Sequence, residues 1–337
     1  MRKILSSFFH SYFEIPQNRK KIVSLGGGTG LSTLLSGLKD YPLDLTAIVT
    51  MADEGGSTGR LRKTLGVLAV GDLRNSLSAL SDAEPIMQKL LSYRFSGRRY
   101  GKDNELGGHS MGNLILVALS EICGDFGKGL EAASKILNIS GKVLPSTTAN
   151  PRIWAQTVDG KKVYGETKID LGLYNGRREI KKLHLIPPNT KPFPQSIKEL
   201  KEAKMITAGP GDLYTSIMPN LLVSEISQAI YKSRSKKILI VNIANKPFET
   251  PNYKASQYIE AIMKHCGRKL LFTHLLVNNN FGYPIPKKLK YKYVEIDREV
   301  LRDKYKGIKV VEADLIDPAN TLHHHPQKLA RVVLGML

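Results

Sequence analysis

The sequence predicts an α/β protein with a doubly wound, mostly parallel Rossmann-like sheet and a small β-rich insertion. Three observations carry that expectation. A short apolar run at residues 21–25 passes through Gly26-Gly27-Gly28-Thr29-Gly30 into helical spacing over 31–38, the pattern of strand, glycine turn and helix. A second apolar run at 45–50 follows so closely that strand, helix and strand make one right-handed crossover of a parallel sheet. The alternation resumes late in the chain: strand-like 203–208, 237–243, 272–278 and 308–311 alternate with helical 221–231 and 256–265, and helical 327–334 closes the series.

The intervening elements follow in order. Helical patterns cover 72–93, with Pro85 starting a new helix, then 111–122 and 129–137. After Ile139 the pattern changes to β-branched alternation around the turn Asp159-Gly160, and IKKLHLIPP adds a further strand. Residues 140–190 are therefore expected to form the β-rich insertion. The expected organisation is a leading segment, 1–19, and one α/β domain over 20–337.

Composition narrows the class. A chain of 337 residues, 42% hydrophobic with mean hydropathy −0.20, can bury one large core or two modest ones, which excludes disordered and fibrous proteins. Cys123 and Cys266 stand too far apart in sequence for a disulfide framework or a CxxC metal site, so a reducing compartment is expected. The start, MRKILSSFFHSYFEIPQ, is broken by Ser6, Ser7, His10, Ser11 and Glu14, and no run of 18 apolar residues occurs elsewhere. The expectation is a cytoplasmic protein without membrane insertion. The net charge of +20 invites a nucleic-acid reading, but the basic residues are dispersed: Arg19-Lys20-Lys21, Lys161-Lys162, Arg177-Arg178, Lys181-Lys182, 232–237 and 287–306. One Trp, no zinc-finger spacing and no aromatic strand of the RNA-recognition type accompany them, which favours a solvated basic surface or an acidic small ligand over specific nucleic-acid binding.

The candidate site residues lie in glycine-rich turns and at strand ends. Glycines at 26–28 and 30 let the backbone approach a ligand closely, and a helix N-terminus there favours phosphate; a tight turn without a ligand is the alternative. Leu31 occupies the third glycine position of G-x-G-x-x-G, and no Gly-Lys-Ser/Thr follows, so neither standard nucleotide fingerprint applies. Asp53 and Glu54 close the next strand, where an acid can hold ribose hydroxyls or Mg²⁺ or merely cap a polar loop, and Gly55 to Arg60 is read as a loop adding backbone donors and a cation. Asp72, Arg74 and Asn75 open a helix, with Asp72 an N-cap and Arg74 placed for an anion. His109 and Asn113 stand in a second glycine-rich helix entry, where His109 is a proton carrier, a phosphate contact or simply structural. Ser110 fits the letters G-x-S-x-G, but ELGGHSMGN lacks the apolar strand a nucleophile elbow needs.

Gly209-Pro210-Gly211-Asp212 repeats the strand-glycine-helix design before Tyr214, Thr215 and Ser216, and two such cradles suit a ligand with two anionic parts. IVNIANKPFETPNY then places Asn242, Asn245, Glu249, Thr250 and Tyr253 at the carboxyl end of another strand, the edge where open α/β sheets bind ligands. His323-His324-His325 is either a metal tract or an exposed run before a helix.

Taken together, GGGTGLSTLLSGLK, IVTMADEGGSTGRLR, GDLRNSLSAL, GHSMGNLIL, VLPSTTANP, AGPGDLYTSIMPNLL and NKPFETPNY resemble, in order and spacing, the gluconeogenesis-factor (YvcK-type) family. That family lies in the superfamily that includes 2-phospho-L-lactate transferase, and the resemblance covers residues 20–336. It implies a CofD-like Rossmann sheet that binds UDP-sugars such as UDP-N-acetylglucosamine, with a role in carbon metabolism, cell shape and cell-wall synthesis. The implied partners are the nucleotide sugar and cell-envelope regulators, and homo-oligomerisation is left open. On this resemblance Gly27, Gly28, Thr29 and Gly30 hold the diphosphate with Arg74 as counter-charge, and Asp53 takes a ribose or sugar hydroxyl. Gly211 and Asp212 form the opposite wall, Tyr253 flanks the base, and Asn75, His109, Asn113, Gly209, Asn242 and Thr250 complete the set. The alternative is a Mg²⁺-dependent transferase of a phosphate-containing group, like the sister branch. The family's Asp-Asp pair is Asp53-Glu54 here, its Gly-Glu-Thr-Asp-Gly-Tyr run is residues 248–253, and its Arg-His-Asp-Pro reads His323-His324-His325-Pro326.

Overall fold

Strands buried along most of their length are what a sheet covered by helices on both faces requires. In the computed structural model, which describes residues 19–97, 106–176 and 179–337, β1 (Lys20–Gly26), β2 (Leu43–Val49) and β3 (Lys142–Pro145) have this character, each ending in three or more buried residues. Seven strands pair in parallel in the order β12-β10-β8-β7-β1-β2-β3. The late members are β7 (Met205–Ala208), β8 (Lys236–Ile240), β10 (His274–Asn278) and β12 (Lys309–Ala313). Leading residues 1–18 and the pair Arg177-Arg178 lie outside the described residues.

Strand order decides where a ligand can enter. The chain runs outward from β1 through β2 to β3, then returns to pair β7 with β1, Ile22 opposite Met205, and runs outward on the other side. Crossovers on the two sides of β1 therefore leave toward opposite faces, and a crevice opens beyond the carboxyl ends of β1 and β7.

Alternating residues of the strands feed two cores. Val23, Leu25 and Ile48 pack with Leu213, Ile226, Tyr258 and Ile259 on one face. Ile22, Ala47 and Val49 pack on the other with Leu31, Leu34, Leu35 and Leu38 of the helix Gly28–Leu38 and with Leu329 and Val333 of the helix Pro326–Gly335.

A second sheet, antiparallel, joins β4 (Arg152–Thr157), β5 (Lys162–Tyr164) and β6 (Ile180–Ile186) in the order β5-β4-β6. Its inner residues, Ile153, Ala155, Val163, Leu183 and Leu185, join the first core. Outside, Tyr164, Trp154 and His184 stand in one cross-strand row. Trp154 stacks on His184 at 4.1 Å and 7°, and on Tyr164 at 5.7 Å and 25°. The rings spend their faces on one another, as cross-strand aromatic pairs do.

Short pairs finish the fold: β9 (Ala244–Asn245) with β11 (Lys292–Tyr293), and β13 (Ile316–Asp317) with β14 (Asn320–His324). Among the described residues no helix is long and apolar enough to cross a membrane.

Two local expectations change. The stretch expected as a loop at 55–60 enters the helix Gly56–Leu65, so Arg60 is a helical residue, and its guanidinium donates to the Gly107 carbonyl at 2.6 Å. The helix expected over 221–231 starts later, as Ser224–Lys232, because a π-helical turn, Leu213–Ile217, running into Met218–Leu221 takes up Leu221.

Candidate functional site

The end of β1 meets the end of β7 through two glycine turns. Gly28 adopts φ +61, a left-handed conformation that costs any side chain, and opens the helix Gly28–Leu38. Gly30 is needed for a different reason: a Cβ there would stand 2.4 Å from the Pro210 carbonyl oxygen and 2.9 Å from the Gly211 nitrogen, so the two turns touch backbone to backbone. Asn242, just past β8, holds the second turn by accepting the Gly211 N–H at 3.0 Å. Three strand ends thus converge on one crevice.

The crevice consists of two adjoining cavities of about 220 and 260 Å³, which together fall in the range of small-molecule sites. They share Gly28, Thr29, Asp212, Ser216 and Lys246 as a waist. The first continues over Ile243, Ala244, Tyr291 and Leu322 to His323 and His324. The second is lined by Asp53, Asp72, Arg74, Arg94, Asn113 and Glu166, among others.

Charge is concentrated in the second cavity and at the waist. Burial, with the Asp53 charge beside it, pushes the Asp72 carboxyl up to about 8, although the Gly28 N–H and Arg74 act in the opposite sense. Burial and the charges of Asp53, Asp170 and Asp72 hold Glu166 well above the usual carboxylate range. The Gly28 N–H, which the sequence reading reserved for a phosphate, already serves Asp72.

At the waist, burial works against the charge of Lys246, but Asp212, Glu249 and Asp170 outweigh it and keep the ammonium protonated. Its Nζ lies 2.7 Å from Asp212 Oδ2, 3.7 Å from Glu249 Oε1 and in short contact with Asp170. Among the described residues these three acids are the group close enough to share a metal ion, with oxygens within 4.8 Å of one another. Lys246 supplies the positive charge there instead. Burial and then Asp212 push Glu249 up to about 8, and its carboxyl accepts the Thr215 hydroxyl at 2.7 Å and the Tyr214 N–H at 2.9 Å.

Behind the second cavity, the Ser57 hydroxyl is fully engaged. It accepts the Asn113 Nδ2–H at 3.1 Å and the Ser110 N–H at 3.3 Å, which directs its own proton to His109 Nδ1 at 3.0 Å. His109 is therefore a neutral acceptor, its pKa lowered by burial and then by Arg60 and Arg94. Arg74 donates to Ser110 Oγ at 2.9 Å and to Asn75 Oδ1 at 2.5 Å. Ser110, donating to the Leu91 carbonyl at 3.3 Å, is held as a structural hydroxyl.

Of the residues expected from sequence, Gly27, Gly28, Thr29, Gly30, Gly211, Asp212 and Asn242 line the first cavity, and Asp53, Arg74, Asn75 and Asn113 line the second. His109 stands one shell back, reaching the second cavity through Ser57. Gly209 forms the turn without lining either cavity. Thr250 accepts the Lys246 N–H at 3.2 Å, and Tyr253 pairs with the Tyr214 hydroxyl at 2.9 Å, both outside the cavities. Tyr291 is the aromatic residue in the first cavity instead.

Sequence reasoning missed Lys246, Glu166 and Asp170. Lys246 had a signal, as the lone cation straight after an apolar strand, and Glu166 and Asp170 are acids four apart on the one short helix of the insertion. The three adjacent histidines are neither a metal tract nor an exposed run, because on a strand successive side chains point to opposite faces and His324 is buried while His323 is exposed.

The model of the family described as 2-phospho-L-lactate transferase CofD matches residues 22–316. The chain is 42% identical over 327 residues to the gluconeogenesis factor of Bacillus subtilis, covering 95% of this chain and 98% of that protein. It is 40% identical over 322 residues to the gluconeogenesis factor of Halalkalibacterium halodurans, covering 94% and 96%. A crystal structure of a UPF0052 family member from Bacillus halodurans superposes with a TM-score of 0.85 at 39% identity, over 94% of this chain and 99% of that one.

Proposed function

This chain belongs to the 2-phospho-L-lactate transferase CofD family, among its gluconeogenesis factors, and from that premise we propose that it is a cytoplasmic receptor for a nucleotide sugar of the UDP-N-acetylglucosamine kind. Binding of that ligand regulates carbon metabolism, cell shape and cell-wall synthesis. The observation that carries the reading is the two-chambered crevice with a glycine-built waist at the switch point of the sheet. A diphosphate sits at the waist, on the first turn of the helix Gly28–Leu38, with Arg74 of the second cavity as counter-charge. The base enters the first cavity against Ile243, Ala244, Tyr291 and Leu322, and sugar hydroxyls face the acids and arginines of the second. The commitment of Ser57 and Ser110 to hydrogen bonds favours binding over attack by a hydroxyl.

Thermal melting at fixed salt with UDP-N-acetylglucosamine, other UDP-sugars, GDP and NAD, each with and without Mg²⁺, tests this. A ligand at 100 times its Kd adds about 2.7 kcal/mol of stability, so a selective UDP-sugar shift without product on incubation is the expected result. No shift with any UDP-sugar refutes the reading.

A second reading, a phosphate-group transferase, is favoured by one observation. In the second cavity the Asp53 charge raises the proton affinity of Asp72 and of Glu166, as clustered carboxylates do where a divalent cation belongs. Of these, Asp53 or Asp72 would hold Mg²⁺, which when bound would neutralise phosphoryl oxygens. A GDP shift that requires Mg²⁺ and disappears with chelator would select this reading.

A further inference from the structure

The outer face of the three-stranded sheet contributes to neither cavity of the crevice through its aromatic or lysine side chains. Strand alternation and register fix what this face displays. The ring row of His184, Trp154 and Tyr164 crosses its middle, and one step along the strands Lys182, Gln156 and Lys162 make a second row. On the other side of the rings Arg152 stands opposite Ile186. No acid occupies any of these positions, and Ile186 is their one aliphatic residue.

The cations of this face are not spent within the chain. Arg152 reaches Glu54 at 3.3 Å, but among the described residues the exposed Lys162 and Lys182 have no acidic partner. Lys162 Nζ lies 5.5 Å from the centre of the Trp154 ring. Burial, and then the charges of Lys182 and Lys162, lower the pKa of His184, so at neutral pH it is a flat, uncharged ring in a positive field.

The ring row is open at its ends. β5 and β6 are the two edges of this sheet, and Tyr164, 52% exposed, has Trp154 as its ring partner on one side and no other ring among the described residues. A nucleobase added to Tyr164 continues the stack. Lys162 and Lys182, two strand spacings or about 10 Å apart, then meet the phosphates. A lipid surface would reward aliphatic groups, which this face lacks, whereas π-faces beside unpaired lysines are what single strands use.

We propose that the outer face of the insertion is a second binding surface, for single-stranded nucleic acid, with bases stacking from Tyr164 and phosphates held by Lys162 and Lys182. Ring faces and phosphate contacts accept any base, so the binding is sequence-tolerant, distinct from the specific recognition that the sequence argues against.

Trp154 is the one tryptophan of the chain, so its emission reports on this face. The test titrates the full chain with a single-stranded oligouridylate of about 12 nucleotides at about 50 mM salt, following Trp emission and, independently, the anisotropy of an end-labelled oligonucleotide. Saturating quenching is expected, with log K falling against log salt at a slope of about −1.4 for two phosphate contacts. Tyr164→Ala should weaken binding about 10-fold, and Lys162→Gln with Lys182→Gln should remove most of the salt slope, with melting curves as the check on folding. Excess UDP-N-acetylglucosamine should leave the quenching unchanged. Absence of both signals in the unsubstituted protein overturns the proposal without any variant. Equal binding by the parent and both variants places the oligonucleotide on another basic surface, and its displacement by UDP-N-acetylglucosamine places it in the crevice; either result overturns the proposal. Quenching by phosphatidylglycerol vesicles but not by the oligonucleotide would replace it with a lipid contact.

Discussion

The two cavities of the crevice are built from different materials. The first is mostly backbone and neutral side chains: a glycine turn on each side, Asn242, Tyr291 and a buried histidine. The second is made of ionisable side chains gathered from distant segments, Asp53, Asp72, Arg74, Arg94 and Glu166. Backbone walls fix shape with little sensitivity to pH or salt. Walls of charge hold their geometry only while their partners balance, so the two ends should fail in different ways.

The sharpest break is expected where the two meet. Lys246→Met removes the ammonium, whose side chain is 14% exposed, from among Asp170, Asp212 and Glu249. Leaving buried carboxylates uncompensated should cost about 4 kcal/mol in denaturant titration at neutral pH. A loss under about 1 kcal/mol would mean that solvent already screens the cluster.

On the backbone side, Gly30→Val drives a side chain into the Pro210 carbonyl and should cost about 3 kcal/mol by the same assay. Stability equal to the parent would show that the turns can part.

The pH profile separates the two ends by sign. His324 binds a proton near 6.5 when unfolded and only near 3 when folded, so its contribution is complete above 6.5 and is lost as pH falls toward 3. Asp72 behaves oppositely: unfolded it loses its proton near 3.8, folded it keeps it to about 8, so stability falls as pH rises through that window. Each isolated group contributes a slope of up to about 1.4 kcal/mol per pH unit. The two offset one another from about pH 4 to 6.5, leaving an alkaline decline above. Chemical denaturation across pH should show that decline reduced by Asp72→Asn, with Glu249 and Glu166 supplying the rest, and the acid decline reduced by His324→Phe. Unchanged profiles in both would place these groups in contact with water.

The mildest change is Gly28→Ala. Nothing lies closer than 3.8 Å to the added Cβ, so only the left-handed backbone resists, at about 1 kcal/mol. Its methyl enters the waist, and nucleotide affinity should fall far more than stability does.

How much of this was legible in the sequence follows the same division. Strands of the parallel sheet announce themselves because both faces are apolar, as in residues 21–25, and the glycine turns are local patterns. The helix Gly56–Leu65 could not be read, because Leu61 and Leu65 are its whole apolar content. Tertiary contacts set it in place: the Arg62 guanidinium donates to the carbonyls of Asp53 at 2.7 Å and Pro151 at 2.8 Å. Glu166 and Lys246 meet in the crevice only because the insertion folds back over the switch point, which no local spacing encodes. The inward turn of His324 follows from strand alternation that three identical letters conceal.

The pairing of β1 with β7 also governs when the molecule can become whole. Ser24 and Thr207, joined through their hydroxyls at 2.9 Å in the middle of the sheet, are 183 residues apart. At a synthesis rate of roughly 5–20 residues per second, β1 waits on the order of 10–40 s for its second neighbour. Throughout that interval one edge of an apolar strand is open to other chains. The arrangement that opens a crevice for a ligand therefore leaves an apolar strand edge exposed during synthesis, and couples completion of the crevice to synthesis of the second half of the sheet.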